Sequence, residues 1–320
     1  MVTAGVDLGG TKLLGLALDD GGSVVAEERV PTPTGEAAVM GALCELVTAL
    51  AATTGPVTGI GVGVPGLVDR SGTLRMAPNL PGVADLDVRG TLAARFPGAA
   101  VRVDNDATCA TWAEHRLGAA RGVPDAVLVT LGTGIGGGLV AGGRLLRGAN
   151  GFAGEVGHMV VDPNGQPCPC GKRGCWERVA SGSGLGRLGR EAAEAGRAAR
   201  IAELAGGAAA AVRGEHVTTA AAEGDEEAIA VMARFGWWVA LGLANLAAVL
   251  DARRFVLGGG LVEAGEVLLA PTRAAFAELV LGADQRAVSI VPAALGEHAG
   301  AIGAALLALE DGNDGPAGDG

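Results

Sequence analysis

Hydrophobic residues alternate between strand and helix periods along this chain. Short apolar runs from Thr3 to Leu8, Lys12 to Leu18 and Ser23 to Val30 are separated by glycine- and aspartate-rich turns, which predicts three antiparallel strands. Between Glu36 and Ala52 the apolar residues recur at helical spacing. The stretch from Val57 to Val64 returns to a strand pattern, and this alternation is typical of an α/β sheet.

The arrangement of strand, glycine turn and strand near the N-terminus occurs twice. Residues 126–140, AVLVTLGTGIGGGLV, repeat the pattern of residues 4–18, so we expect two halves with one architecture. The later patterns predict a helix over Glu226–Val249, a strand at Phe255, a helix near 265–280, a strand over Val288–Pro292 and a last helix from Glu297. The glycine- and aspartate-rich tail 311–320 is predicted to be disordered.

Composition and charge exclude several classes of protein. A chain of 320 residues with 49% hydrophobic residues, 56 glycines and no tyrosine predicts a folded α/β protein with two domains. The net charge of -11 gives no basic field, so we expect neither a nucleic-acid nor a membrane partner. The N-terminus shows no signal-peptide pattern. The apolar stretch Trp237–Leu250 is too short to span a bilayer, and we interpret it as a buried helix.

One histidine and three cysteines lie close together in the segment HMVVDPNGQPCPCGKRGCWE, residues 158–177. Structural zinc sites are tetrahedral and take cysteine sulfur and histidine nitrogen, so His158, Cys168, Cys170 and Cys175 supply a complete set of ligands. The alternative is a disulfide with a stray thiol, but the cysteine count of 5 is odd. A thiolate metal site favours the reducing cytoplasm.

Two carboxylates flank this predicted zinc loop. Glu155 lies three residues before His158, and Glu177 lies two residues after Cys175, so an ion that fixes the histidine also positions both. The second ring nitrogen of a metal-bound histidine can contact a ligand hydroxyl. The alternative is a structural zinc loop with two solvated glutamates.

Two glycine loops join the duplicated strands. The first, Asp7-Leu-Gly-Gly-Thr-Lys, lacks the residue order of a P-loop, and Gly132-Thr-Gly-Ile-Gly-Gly lacks the following helix of a dinucleotide-binding fold. Their backbone N–H groups and the hydroxyls of Thr11 and Thr133 can hold phosphate groups, with Asp7 holding Mg²⁺ through water. The predicted nucleotide site comprises Asp7, Gly9, Gly10, Thr11, Lys12, Gly132, Thr133, Gly134, Gly258, Gly259 and Gly260.

A strand that begins at Val101 runs into a helix at Asn105 and Asp106. Both residue types are common helix caps, which is the alternative interpretation. Phosphoryl transfer depends mainly on positioning and charge stabilisation, so an aspartate there needs no greatly raised pKa to act as base. Asn105 can orient a neighbouring hydroxyl as donor and acceptor.

Several motifs occur in one order and together resemble the ROK family of sugar kinases and regulators, most of all its bacterial ATP-dependent glucokinases. The resemblance covers about residues 4–308 and is most specific in the cysteine-rich element. The motifs are Asp7-Leu-Gly-Gly-Thr-Lys, Pro65-Gly66, Ala77-Pro-Asn79-Leu, Asn105-Asp106-Ala, Leu131-Gly-Thr-Gly-Ile-Gly-Gly-Gly, Gly154-Glu-Val-Gly-His158 and Cys168-Pro-Cys-Gly-Lys-Arg-Gly-Cys-Trp-Glu177.

The resemblance implies a two-domain actin-like ATPase (hexokinase-type) α/β fold with a cleft. It implies a small domain 1–108 rejoined by helix 297–310, and a large domain 109–296 that carries the zinc loop. Asp106 matches the catalytic base, MgATP is the phosphoryl donor and Zn²⁺ is structural. The implied substrate contacts are Gly66, Asn79, Asn105, Asp106, Glu155, His158 and Glu177.

The expected activity is phosphorylation of the glucose 6-hydroxyl in the cytoplasm by a homodimer or homotetramer. Thr108 and Ser183 depart from the asparagines common in the family and leave the sugar open, so fructose, mannose, allose and N-acetylmannosamine remain alternatives. A sugar-responsive regulator is the alternative of another class. Such family members carry an N-terminal helix-turn-helix, whereas this chain begins at a predicted strand.

Overall fold

The computed structural model describes residues 1–78 and 80–310. It divides into two compact units. Among the described residues, the first comprises 1–121, 145–154 and 297–310, and the second comprises 122–144 and 155–296. The tail 311–320 and Asn79 lie outside the described residues.

A five-stranded sheet forms the centre of the first unit. Its strands are β1 (Val2–Leu8), β2 (Lys12–Leu18), β3 (Val24–Pro31), β4 (Val57–Val64) and β8 (Ala100–Asn105), in the order β3-β2-β1-β4-β8. The first three strands are antiparallel, as the sequence predicts, whereas β4 runs parallel to β1 and β8 runs parallel to β4. The carboxyl ends of β1, β4 and β8 therefore meet at one edge.

Four helices and a small sheet complete the first unit. The helices are α1 (Glu36–Thr54), α2 (Val88–Arg95), α3 (Asp106–Arg116) and α10 (Ala299–Ala308). The small antiparallel sheet comprises β5 (Leu67–Val68), β6 (Thr73–Met76) and β7 (Ala84–Asp87). The apolar face of α1 is buried through Val39, Leu43, Leu46, Val47 and Leu50, at the helical spacing seen in the sequence.

Glycines in the strands let α10 pack directly on the sheet. A Cβ atom on Gly5 of β1 would lie 2.0 Å from the carbonyl oxygen of Ala301, and one on Gly61 of β4 would lie 1.7 Å from that of Ala304. Contact at this distance is possible only without a side chain. The helix near the C-terminus is thereby part of the first unit's core, and it also contacts α3.

The second unit contains a sheet with the same connectivity. Its strands are β9 (Ala126–Leu131), β10 (Ile135–Ala141), β11 (Arg144–Leu145), β12 (Arg254–Gly258) and β13 (Ser289–Pro292), in the order β11-β10-β9-β12-β13, and Leu145 alone is counted with the first unit. As in the first unit, a hairpin is followed in space by two parallel strands. The predicted duplication of one architecture is confirmed.

The remaining helices belong to the second unit. They are α4 (Glu177–Ala180), α5 (Gly182–Glu194), α6 (Ala199–Leu204), α7 (Gly214–Ala222), α8 (Glu226–Leu250) and α9 (Glu266–Leu279). Short 3₁₀ turns cover Val156–His158, Ala209–Ala211, Gly260–Ala264, Ala283–Gln285 and Gly296–His298. Helix α8 begins at the cap residue Asp225, whose carboxylate accepts a hydrogen bond from the N–H of Ala228 at 2.8 Å.

Three expectations from the sequence need correction. The first unit extends to residue 121 and includes residues 145–154, because α3 packs on α10 and β4, so the predicted boundary at 108 falls too early. The last helix begins at Ala299, two residues later than predicted, since a 3₁₀ turn precedes it. The apolar stretch Trp237–Leu250 is the second part of a 25-residue helix, and this whole helix is long enough to cross a membrane although the stretch alone is not.

Two helices, α1 and α8, are long and apolar enough to cross a membrane by length and composition alone. In their most apolar windows, 33% of the α1 residues and 50% of the α8 residues are buried inside the protein. The buried residues of α8 include Phe235, Val239 and Leu243, which agrees with the predicted buried helix. Core helices of soluble proteins commonly pass such a test.

Candidate active site

Acidic residues collect at the carboxyl edge of the first sheet. Asp7 of β1 lies beside Gly63 of β4, and Gly63 lies beside Asp104 of β8. Two residues after Asp104, Asp106 is the first residue of α3. A Cβ atom on Gly63 would lie 3.4 Å from the Cα of Asp106. The sheet thus brings together Asp7 and Asp106, which are about 100 positions apart in the sequence.

The environment of Asp7 favours its neutral form. Burial is the largest cause that raises the pKa of Asp7 from 3.8 to about 7; the negative charge of Asp106 acts in the same direction, and the ammonium of Lys12 opposes both. Helix α10 contributes to this burial, because a Cβ atom on Gly300 would lie 2.8 Å from the carboxyl group of Asp7. A cation at this position would therefore relieve an unfavourable concentration of negative charge.

Asn105 caps helix α3 and also holds the neighbouring turn. Its side-chain oxygen accepts a hydrogen bond from the N–H of Thr108 at 3.1 Å, and its amide donates to the carbonyl of Gly66 at 3.1 Å. Gly66 has φ 111°, and a Cβ atom there would lie 2.1 Å from the carbonyl oxygen of Met76. Asn105 therefore has the capping role that the sequence left open, and Asp106 follows it as the first residue of the helix.

The first glycine loop joins β1 to β2. The N–H of Gly9 donates to the carbonyl of Lys12 at 2.9 Å, and the hydroxyl of Thr32 donates to the carbonyl of Gly9 at 2.6 Å. Gly10 and Thr11 are exposed. The Lys12 ammonium forms an ion pair with Glu297 at 2.6 Å. Sequence patterns suggested Lys12 as a nucleotide contact, and the structure shows that its charge is shared with a carboxylate.

The second glycine loop, Gly132 to Gly134, joins β9 to β10. The N–H of Gly182 donates to the carbonyl of Gly132 at 2.8 Å, and the hydroxyl of Ser183 donates to the carbonyl of Thr133 at 3.0 Å. Ser183, one of the two departures from the family pattern, thus supports this loop. A Cβ atom on Gly134 would lie 2.8 Å from Oε2 of Glu177, so the loop also adjoins one of the predicted substrate-binding carboxylates.

A cavity of about 920 Å³ opens beside this loop within the second unit. Its size is in the range of pockets for nucleotides and other small molecules. It brings together the predicted Gly132, Thr133 and Gly260. It also contains polar and charged residues that the sequence patterns did not indicate, namely Ser183, Arg190, Arg213, Glu215, Thr218 and Thr219.

These additional lining residues lie on helices α5 and α7 or at their starts, in segments without a recognisable motif. The guanidinium of Arg190 donates to the carbonyl of Val212 at 2.7 Å. Gly259, with φ 82°, would place a Cβ atom 2.6 Å from the carbonyl oxygen of Leu131. The glycine-rich end of β12 thus packs against the end of β9, beside the start of the loop.

The four predicted metal ligands lie together. The ligand atoms of His158, Cys168, Cys170 and Cys175 are all within 4.8 Å of one another. Nδ1 of His158 is 3.7 Å from Sγ of Cys168, and Sγ of Cys170 is 3.5 Å from Sγ of Cys175. The three cysteines belong to a small antiparallel loop with bridges at Val160–Cys175 and Pro167–Arg173, and His158 ends the 3₁₀ turn just before it.

This ligand set fits zinc. With Zn–S bonds of about 2.3 Å, the ligand atoms of a tetrahedral site are separated by about 3.8 Å, close to the distances above. The cysteines are free thiols rather than a disulfide. The loop also has the turns that such a site needs, because Gly174 has φ 71° and a Cβ atom there would lie 1.5 Å from the carbonyl oxygen of Asp162. A Cys₃His centre is compatible with structural zinc.

Both flanking carboxylates approach the histidine. Oε2 of Glu155 lies 3.8 Å from Nε2 of His158, and Oε1 of Glu177 lies 3.9 Å from Nδ1. Oε1 of Glu177 also accepts a hydrogen bond from the thiol of Cys168 at 3.2 Å. The structure therefore brings Glu155, His158 and Glu177 into one cluster, as the sequence predicts.

Duplicated sheets of this topology, with glycine loops at the hairpins, define the actin-like ATPase fold of the hexokinase type. The chain belongs to the ROK family, whose family model matches residues 3–311. The identification from the motifs is thereby confirmed.

Three similar proteins bear on the activity. The chain is 36% identical to a glucokinase of Streptomyces coelicolor over 313 residues, which cover 97% of this chain and 98% of that protein. It is 34% identical to an N-acetylmannosamine kinase of Escherichia coli, covering 96% of this chain and 98% of that one. The crystal structure of a ROK glucokinase from Streptomyces griseus with glucose and AMPPNP matches with a TM-score of 0.83 and 37% identity, over 96% and 99% of the two chains. The comparisons support phosphorylation of a sugar by ATP.

Proposed function

We propose that this protein transfers the γ-phosphoryl group of MgATP to the 6-hydroxyl of glucose. The observation that carries this proposal is the position of Asp106 at the start of α3, close enough to Asp7 to raise the pKa of that carboxyl group. A carboxylate fixed at a helix start and a second one that favours a nearby cation are the acidic groups that such a transfer needs. The similarity to glucokinases adds to this support.

Asp106 is the catalytic base of the proposed reaction. It accepts the proton of the 6-hydroxyl as the hydroxyl oxygen attacks the γ-phosphorus, and the bond between that phosphorus and the bridging oxygen of ADP breaks. Oδ1 of Asp106 accepts a hydrogen bond from the N–H of Ala107 at 2.8 Å, which fixes the carboxylate. A positioned base contributes roughly 10²- to 10⁴-fold to such a rate.

Sugar hydroxyls are assigned to Asn105, Glu155, His158 and Glu177. Asparagine has two N–H donors, so the hydrogen bond to Gly66 leaves Asn105 able to donate to a hydroxyl. The two glutamates offer acceptor oxygens beside the imidazole of His158. Gly66 and Asn79 complete the proposed set, although Asn79 lies outside the described residues.

The second glycine loop and the cavity beside it are proposed to bind ATP. Backbone N–H groups near Thr133 and its hydroxyl can reach phosphate oxygens, and the cavity of about 920 Å³ has room for the nucleoside. Gly258, Gly259 and Gly260 provide close backbone approach. In the first loop, Gly9, Gly10 and Thr11 are proposed to contact phosphate, with Asp7 near the Mg²⁺ of the nucleotide.

His158, Cys168, Cys170 and Cys175 would hold a structural Zn²⁺. The ion would supply no group to the reaction, but it would fix His158 and thereby the two glutamates that contact it. Trp176 anchors the same loop, since its indole N–H donates to the carbonyl of Trp238 at 2.8 Å. The positions of Glu155 and Glu177 therefore depend on both the ion and the protein core.

The test is ADP release from MgATP with a panel of hexoses and N-acetylhexosamines, for the natural protein and for Asp106→Asn. We expect glucose-dependent turnover that falls by at least about 10²-fold in the variant. Asp87→Asn is the matched control, because Asp87 caps α2 through the N–H of Gly90 at 2.8 Å and asparagine caps equally well. Near-normal turnover of Asp106→Asn would refute the role of this residue.

An N-acetylhexosamine is the second candidate substrate. The 34% identity to an N-acetylmannosamine kinase covers 96% of this chain, nearly as much as the identity to glucokinases. Where a pocket hydrogen-bonds a substrate group, an analogue without that group is rejected by about 10⁴-fold or more. Turnover with N-acetylmannosamine but not with glucose would keep the mechanism and change the substrate.

We also propose a homodimer or homotetramer in the cytoplasm. The proposal on location is supported by the free cysteines of the metal cluster, since thiolate sites persist in reducing compartments. Light scattering on the purified protein tests the assembly, and a single-chain mass at micromolar concentration would contradict it.

A further inference from the structure

A second, smaller pocket lies in the first unit and has a volume of about 160 Å³. It is formed by segments that are distant in sequence, from the small sheet, helix α2, strand β8, the segment 145–154 and the end of α10. None of the predicted site residues that the structure describes lines it. Pockets for drug-sized ligands begin near 300 Å³, so this one can accommodate only a small ion or a single chemical group.

Arginines dominate the charge of this pocket. Its charged lining residues are Arg70, Arg89, Arg102, Arg147, Asp69, Asp104 and Glu310. The protein as a whole carries a net charge of -11, so a concentration of arginines here runs against its general composition. Arg70 and Arg89 are exposed, and Arg102 is half-buried.

Each lining carboxylate has an arginine partner. Asp104 pairs with Arg147 at 2.6 Å, and Asp69 pairs with Arg75, which lies outside the pocket lining, at 2.7 Å. Glu310 pairs with Arg116, also outside the lining, at 3.5 Å. The negative charges of the lining carboxylates are thus paired without Arg70, Arg89 and Arg102, the other three arginines of the lining.

The guanidinium groups of Arg70 and Arg102 donate to backbone carbonyls. Arg70 donates to the carbonyls of Gly148 and Ala149 at 2.6 to 3.2 Å, and Arg102 donates to its neighbour Val101 at 3.3 Å. The side chain of Arg89 packs against Gly72, where a Cβ atom would lie 2.8 Å from the Cβ of Arg89. Like charges around one small pocket repel one another, and a bound anion would relieve that repulsion.

We propose that this pocket binds a phosphoryl group, either as inorganic phosphate or as part of a phosphorylated small molecule. The arginine guanidinium presents its donors as a planar fork that matches phosphate oxygens. The volume suits one tetrahedral anion, and the opening leaves room for any organic part to remain outside the pocket. The site is distinct from the proposed catalytic residues and requires no particular sugar specificity.

The pocket adjoins the strand that leads to Asp106. Oδ2 of Asp104 accepts from Nε of Arg147, and Oδ1 accepts from the N–H of Asn105 at 2.9 Å. A bound phosphoryl group would compete with Asp104 for Arg147. Asp104, which directly precedes Asn105 and Asp106, would therefore lose part of its ion pair with Arg147 when the pocket is filled.

Isothermal titration at constant ionic strength, adjusted with chloride, tests the proposal. The probes are inorganic phosphate and glucose 6-phosphate, each titrated into the natural protein and into the double variant Arg89→Gln/Arg102→Gln. Removing two charged donors is expected to weaken binding at this pocket by at least about 10-fold. Arg121→Gln is the matched control, because Arg121 is an exposed arginine of the same unit that does not line the pocket.

The proposed catalytic site can bind the same probes in all variants. Only a loss of binding that occurs in the double variant and not in Arg121→Gln therefore supports the proposal. If the double variant weakens the binding of both probes equally, the ligand is free phosphate. If glucose 6-phosphate binds the natural protein more tightly than phosphate does, and the double variant loses this tighter binding, the ligand is a sugar phosphate. Unfolding curves confirm that the variants are folded. Unchanged binding of both probes by the folded double variant overturns the proposal, whatever the enzyme's activity.

Discussion

Trp176 fills the space that a side chain at position 242 would occupy. A Cβ atom on Gly242 of α8 would lie 2.0 Å from Cε2 of the Trp176 indole, and Trp176 is fully buried. The loop that carries the candidate metal ligands is thus anchored in the core of the second unit by a residue adjacent to Glu177. The lack of a side chain at Gly242 thereby helps to position Glu177, a proposed substrate contact.

Gly242→Ala is expected to destabilise the protein. Alanine normally favours a helix over glycine by about 1 kcal/mol, but the overlap with the indole should reverse the sign and cost roughly 1 to 3 kcal/mol. Urea unfolding measures the change. Gly41→Ala in α1 is the control, since nothing lies within 4 Å of the added Cβ, and it should stabilise slightly. Equal effects of the two substitutions would contradict the packing argument.

Removal of the metal should weaken sugar binding strongly and spare nucleotide binding. We expect one zinc per chain by elemental analysis, and loss of the ion in Cys175→Ser because a ligand is missing. Without the ion, His158 no longer fixes Glu155 and Glu177, so glucose affinity measured by titration should fall at least about 10-fold. Cys44→Ser, outside the cluster, should keep both the zinc and the affinity. Unchanged glucose binding by the zinc-free protein would show that sugar binding does not depend on the metal.

Asp7 should make stability depend on pH. Its pKa is raised from 3.8 to about 7, so the unfolded chain loses the proton first as pH rises. Stability therefore falls between about pH 4 and pH 7, and the loss is complete above pH 7. In Mg²⁺-free buffer at pH 8, Asp7→Asn should raise the free energy of unfolding by about 2 to 4 kcal/mol, with little change at pH 3.

The same substitution should impair turnover, because it removes the carboxylate proposed to lie near Mg²⁺. Asp20→Asn serves as control, since Asp20 is an exposed aspartate whose carboxylate pairs with the N-terminus, and its effect should be below about 0.5 kcal/mol. An Asp7→Asn effect on unfolding that is the same at pH 3 and pH 8 would show that the pKa of Asp7 is not raised.

The ion pair between Arg147 and Asp104 should contribute to the stability of the protein. The two side chains are only 18% and 9% exposed, and Arg147→Met would leave a buried carboxylate without its counter-charge, at a cost of roughly 3 kcal/mol. The double variant Asp104→Asn/Arg147→Met should recover part of this loss. Arg116→Met removes the exposed pair with Glu310 and should cost less than about 1 kcal/mol. Chemical unfolding of all four proteins provides the comparison.

Much of the fold and of the candidate site could be predicted because their signals are local. Strands β1 to β4, helix α1 and the duplicated hairpin follow from residue periodicity, since the periods of strand and helix are fixed by backbone geometry. His158, Cys168, Cys170 and Cys175 cluster as predicted, because short loops with glycine turns can close on themselves. The short strands β5 to β7 and helices α4 to α7 were not predicted, as they lack length or clear periodicity.

What the sequence alone determined was therefore the order of the elements, the glycine loops, the clustering of the candidate metal ligands and the family. Tertiary structure decided relationships between distant residues: the pKa of Asp7 set by Asp106 and α10, the indole of Trp176 against Gly242, and the arginine pocket assembled from five segments. The physical reason is that periodicity and spacing report on neighbours along the chain, whereas burial and charge depend on neighbours in space, which only packing defines.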